Sequence, residues 1–201
     1  MGRDHESSEI KKFYYIWANQ TLKMKALMKR IATLLVMFCM VLTLNAQNQN
    51  EQKPQRPELE IGSAMPQIDL KSEVYGNITN KDLNGKVVLI QMFATWCGPC
   101  QKELAEVQGT LWPKYKDNKN FKLVVIGREH TDEQLTKYNE KKGFTFALYP
   151  DPKRENYSKF ADITIPRSYL YDKQGKLIWS AVGYSPEEFK ELMETIEKAL
   201  K

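Results

Sequence analysis

The chain has 201 residues, 30 Lys and Arg against 25 Asp and Glu, three Cys, two His and 42% apolar residues. This composition excludes a disulfide-scaffold peptide, a collagen-like chain and a wholly disordered one, and the length allows one ordinary domain or two small ones. The net charge of +5 is mainly an N-terminal property: residues 1–46 hold seven basic and three acidic side chains, which leaves 23 and 22 from Gln47 onward and gives no reason to expect nucleic acid as a partner.

Residues 31–44 read IATLLVMFCMVLTL and follow Lys25, Lys29 and Arg30. As a helix this run spans roughly 21 Å, short of the ~30 Å hydrocarbon core, and its basic flank and trailing Ala46 are those of a secretory signal. Cleavage is expected after Ala46, although Leu44 is large for the third position back, so retention as an anchor is the alternative. Cys39 follows Phe38, not the small residue a lipidated cysteine prefers, and reads as an inert apolar residue. Met24 and Met28 are more conventional starts for such a signal than Met1. Residues 47–60, rich in Gln, Asn and Pro, hold too little apolar surface to offset their ordering entropy and read as a tether.

From Ile61 short apolar runs alternate with turn signals, so the expected domain covers residues 61–201. Residues 67–71 and 73–78 read as a first pair of short strands, and Asn84-Gly85 turns the chain into VVLIQMF, a strand buried on both faces. A helix is predicted from Gly98 towards Tyr115, bent or ended by Pro113. FKLVVIG is a second buried strand, and a helix capped by Thr131 or Asp132 follows and stops at Gly143. Residues 146–149 read as a short strand and 155–160 as a helical turn. Residues 167–171 and 176–182 then flank the hairpin signal DKQG. Ser185 caps a last helix over 186–200, with Phe189, Leu192, Met193, Ile196 and Leu200 on its buried face. Strand, helix, strand, helix, hairpin, helix describes an α/β domain around a central sheet.

The chemistry gathers at Trp96-Cys97-Gly98-Pro99-Cys100, where a buried strand hands over to a helix. A cysteine at a helix N-terminus meets unpaired backbone N–H groups and the positive end of the dipole, which stabilise its thiolate. Two intervening residues bring Cys100 within bonding reach, so Cys97 can attack a disulfide and Cys100 can resolve the mixed disulfide. Gly98 leaves room for a partner and Pro99 stiffens the turn. A structural zinc site needs four ligands, whereas the chain beyond the signal offers these two Cys and His130; no metal or other cofactor is expected besides the cysteine pair itself. His130 reads as an ordinary surface histidine.

WCGPC after VVLIQMFAT resembles the thioredoxin superfamily, and the export segment, tether and leading strand pair resemble its extracytoplasmic TlpA/ResA branch. The resemblance covers residues 61–201 and implies a thioredoxin-like fold, a central mixed sheet flanked by helices, with an N-terminal strand-pair extension. It also implies a cis peptide bond between Ile165 and Pro166, with Ile165 and Trp96 in contact with the substrate segment. Gln91 stands where cytosolic thioredoxins carry a buried Asp and cannot serve as that base. Glu103 matches a Glu that the ResA-type branch keeps near its cysteines, where it would accept the proton of Cys100.

The activity implied is reduction of protein disulfides in a Gram-negative periplasm, with a membrane thiol donor as partner and cytochrome c maturation or general disulfide repair as precedents. Membrane contact is expected only through a retained N-terminal segment. Two alternatives stand beside it. A thiol peroxidase of the redoxin type would want Pro and Thr where Ile90 and Ala94 stand, and a non-catalytic binding or chaperone-like module would leave the cysteine pair incidental.

Overall fold

The computed structural model describes residues 59–201, together with Met28. The expected export run at 31–44 and all of the expected tether except its last two residues lie outside the described residues. The domain contains β1 (Asp69–Leu70), β2 (Ile78–Thr79), α1 (Asn80–Leu83), β3 (Val87–Phe93), α2 (Gly98–Glu106), a π-helical segment (Val107–Leu111), α3 (Trp112–Tyr115) and β4 (Phe121–Arg128). There follow α4 (Asp132–Lys142), β5 (Leu148–Asp151), a 3-10 turn (Tyr157–Lys159), β6 (Arg167–Tyr171), β7 (Leu177–Val182) and α5 (Pro186–Leu200).

Five strands form one mixed sheet in the order β5-β4-β3-β6-β7, and β1 and β2 pair as a separate antiparallel ribbon. β3, β4 and β5 run parallel, while β6 is antiparallel to β3 and to β7. All seven residues of β3 are buried, as a central strand covered on both faces requires. Its side chains alternate: Val87, Leu89 and Phe93 enter the core that includes Leu104, Leu135, Leu192 and Ile196 of the helices. Val88, Ile90 and Met92 enter a second core with Ile68, Leu70, Ile78, Tyr157 and Phe160, so the leading ribbon closes the other face. The thioredoxin-like mixed sheet with its strand-pair extension is therefore the architecture.

Several boundaries differ from the sequence expectation for local reasons. The ribbon is shorter than predicted because Ser72 Oγ accepts from the N–H groups of Val74 and Tyr75, at 3.2 and 3.1 Å, and folds that stretch into a turn. Asp132 fastens this turn by accepting from the Ser72 hydroxyl at 2.7 Å and from the Glu73 N–H at 2.8 Å. The helical run from Gly98 reaches Tyr115 as expected, and Pro113 does not end it. It widens one turn earlier, with the Trp112 N–H bonded to the Val107 carbonyl. That five-residue spacing fits a proline without an N–H into the next turn with the helix continuing to Tyr115. β5 lies two residues later than expected: Phe146 stacks on Phe144 in the core, at 4.9 Å between ring centroids. Pro150 is tolerated because β5 is an edge strand. The four-residue α1 carries no apolar period and was not expected. Thr79 and Asp82 supply its capping box.

Candidate active site

β3 ends at Phe93, and the chain turns through Ala94–Cys97 into α2, with the Cys97 N–H donating to the Ala94 carbonyl at 3.1 Å. Cys97 is the N-cap of α2 and Pro99 occupies its first turn. Cys97 and Cys100 are joined in a disulfide with their Cα atoms 5.3 Å apart. The Cys100 N–H points at Cys97 Sγ across 3.3 Å, placing a helix N-terminal donor on the sulfur that would carry negative charge once reduced. Cys97 is 6% exposed and Cys100 fully buried, so the first sulfur is the one a partner reaches. Gly98 and Pro99 are exposed beside it, and a Cβ at Gly98 would meet nothing within 4 Å. The fold itself does not require glycine there.

Trp96 is 66% exposed, and the Arg128 guanidinium lies 5.8 Å from its ring centroid. The Ile165–Pro166 peptide bond is cis. The Ile165 carbonyl oxygen sits 3.8 Å from Cys97 Sγ, and Ile165 is half-buried while Pro166 is buried. Thr164, just before it, has φ 74, a left-handed conformation costly for a β-branched residue. The Tyr157 hydroxyl donates to the Thr164 carbonyl at 2.6 Å and fixes that peptide.

Beneath the disulfide lies a buried polar cluster. Gln91 and Ser168 are cross-strand partners in the β3–β6 register. Their places in the alternation, with Leu89 and Leu170, aim them at the helix side. Glu103 descends from α2 onto them, and Ser168 Oγ donates to Glu103 Oε1 at 2.6 Å. Gln91 Nε2 lies 3.5 Å from Ser168 Oγ. Burial, offset by the bonds from Ser168 and Gln91, pushes the Glu103 carboxyl up to about 7. Such a carboxyl can take or give a proton near neutrality.

Residues 61–180 match the AhpC/TSA family. The chain belongs to this family. Its relatives include the thiol-disulfide oxidoreductase ResA of Bacillus thuringiensis subsp. konkukian, 30% identical over 143 residues, which are 71% of this chain and 80% of that protein. A protein of Bacteroides thetaiotaomicron described as a disulfide isomerase has 33% identity and a TM-score of 0.68, covering 71% of this chain and 91% of its own. A thiol:disulfide interchange protein DsbE of Chlorobium tepidum has 27% identity and a TM-score of 0.62, covering 72% and 100%. This AhpC/TSA member is a thiol-disulfide oxidoreductase of the ResA type with a close cysteine pair.

Two features of this AhpC/TSA site were missed in the sequence. Ser168 was not singled out, although a serine at a helix-facing position of a buried strand opposite Gln91 is the signal that could have found it. His130 is not a surface histidine: it is 7% exposed, and its Nε2 accepts the Thr95 N–H at 2.9 Å. The residue lies just past β4, where a parallel neighbour of β3 ends beside the start of the redox turn. Sequence distance concealed that adjacency.

Proposed function

We propose that the protein reduces disulfide bonds of other proteins outside the cytoplasm, cycling Cys97 and Cys100 between dithiol and disulfide. The observation that carries this reading is a cysteine disulfide capping α2, with its outer sulfur beside the Ile165 carbonyl and a buried carboxyl of near-neutral pKa on the same helix. Export is supported by the basic and apolar N-terminal segment, and the compartment we assign is the periplasm.

In the reduced protein the Cys97 thiolate attacks one sulfur of the substrate disulfide. That S–S bond breaks, a new bond forms from Cys97 to the attacked sulfur, and the other substrate sulfur leaves as a thiolate that takes a proton from water. Cys100 then loses its proton to Glu103 and attacks Cys97 Sγ. The mixed disulfide breaks, and the second substrate thiol departs with a proton. Two electrons pass to the substrate and the protein is left as the disulfide form. A membrane dithiol donor restores the Cys97–Cys100 dithiol by the same exchange and is itself left as a disulfide. Trp96, Gly98, Pro99, Ile165 and Pro166 form the surface against which the substrate segment lies.

Ile90 and Ala94, both fully buried, occupy the places where a peroxidase of the redoxin type would carry Pro and Thr, which favours disulfide exchange over peroxide reduction. The test is reduction of a model protein disulfide, and of apocytochrome c as a specific substrate, by the pre-reduced protein. Wild type should reduce the disulfide and Cys97→Ser should not. Consumption of hydrogen peroxide in place of disulfide exchange would overturn the reading.

A further inference from the structure

Resting on the disulfide-exchange reading above, we propose that His130 is a positioning residue for the redox motif. As a neutral imidazole it accepts the Thr95 N–H and holds the turn that presents Trp96 and Cys97, and its protonation releases that turn.

The turn is tied to the domain at few points. Cys97 N–H bonds Ala94 within the turn itself. Gln101 Nε2 donates to the Thr95 carbonyl at 3.4 Å, and the Tyr138 hydroxyl steadies Gln101 by donating to Oε1 at 2.6 Å. The Thr95 N–H to His130 Nε2 bond, 2.9 Å long, joins the turn to the end of β4. Of these ties it alone runs through a group that changes charge between about pH 5 and 8. For Nε2 to accept, the ring proton must sit on Nδ1, since a neutral imidazole has one donor and one acceptor. Protonation would set an N–H donor against an N–H donor and leave a cation in a site that is 7% exposed.

The surroundings fit a neutral ring. β3 contributes Phe93, whose centroid lies 6.5 Å from that of His130, and α4 contributes the uncharged Gln134. Glu129, on the same segment, supplies the facing charge and holds ion pairs with Arg128 and Arg154 at 3.0 and 3.9 Å. Asp132, at the start of α4, is committed to Ser72 and Glu73. From the turn comes the Thr95 amide. Burial outweighs Gln134 and Glu129 and holds the imidazole below its ordinary range.

The experiment follows disulfide reduction from pH 5 to 8 in wild type, His130→Gln and His130→Leu, together with NMR of the Thr95 amide and the His130 ring nitrogens. The Gln side chain offers an oxygen acceptor at similar reach without titrating. In wild type the Thr95 amide shift should move with the same midpoint as the His130 ring, and the ring should carry its proton on Nδ1 above it. His130→Gln should keep the rate above that midpoint within a few-fold and lose only the fall in rate that follows the His130 midpoint, keeping the dependence that Glu103 brings near 7, while His130→Leu falls about tenfold throughout, as loss of one buried hydrogen bond implies. A Thr95 amide blind to the His130 titration, or a fall in rate at the wild-type His130 midpoint that persists unchanged in His130→Gln, overturns the proposal. A wild type that fails to reduce disulfides at pH 8 while the amide still follows His130 would count against disulfide exchange and leave the tie intact.

Discussion

Ser168 donates its hydroxyl to Glu103 across 2.6 Å, and that bond ties the strand after the cis proline to the helix after the cysteine pair. The strand and the helix on either side of the proposed substrate surface are thereby fastened together. The same bond stabilises the carboxylate form of Glu103, against a burial that favours the protonated form. Removing Ser168 as Ser168→Ala should raise the Glu103 midpoint further. It should also destabilise the fold by about 1–3 kcal/mol at pH 8, where the carboxylate loses its donor, and by less at pH 5. Urea unfolding at the two pH values checks both.

Glu103 makes its own pH signature. Its folded midpoint of about 7 lies above the ordinary 4.5, so the folded chain binds this proton more tightly than the unfolded chain between those values. Stability contributed by that proton is present below pH 4.5 and is lost as pH rises through about 7. Glu103→Gln removes the dependence, and over that interval wild type should lose up to about 3 kcal/mol relative to the variant. The variant should also slow the resolving step by about a hundredfold, so that mixed disulfide accumulates in a quenched time course.

Tyr157→Phe deletes the hydroxyl that holds the Thr164 carbonyl at 2.6 Å. Thr164 then keeps its left-handed conformation, φ 74, with one support fewer. A loss of about 1 kcal/mol in stability is expected, with a several-fold rise in KM for a protein disulfide and little change for a small-molecule disulfide. Equal effects on both substrates would show that the loop does not dock protein.

Gly127→Ala tests how closely α4 packs on β4. A Cβ there would come within 2.7 Å of a Leu135 methyl, and Leu135 is 2% exposed, so the leucine must shift within a filled core. A loss of about 1–3 kcal/mol is expected. Because Gly127 precedes the segment that ends in His130, the His130 ring shift should move as well.

The fold was legible where the local pattern is strong. VVLIQMF and FKLVVIG have only one use in an α/β domain, and the sequence marks of α5, Ser185 followed by Pro186, locate its start because a cap is a local event. What was not legible depended on contacts between distant residues. The turn at 73–75 exists because Ser72 and Asp132, sixty residues apart, meet. The motif at 96–100 revealed the reacting atoms, since their chemistry is contained in five adjacent residues. Ser168 and His130 gain their roles from strand register and from the parallel pairing of β3 with β4, neither of which one sequence displays.

The central claim is that Cys97 attacks and Cys100 resolves. The most direct measurement is mass spectrometry of Cys100→Ser mixed with a protein carrying an accessible disulfide, under non-reducing conditions. The account predicts a covalent adduct through Cys97, released by dithiothreitol and absent from Cys97→Ser. An adduct that forms equally well without Cys97, or none in either variant while wild type still reduces the substrate, would contradict it.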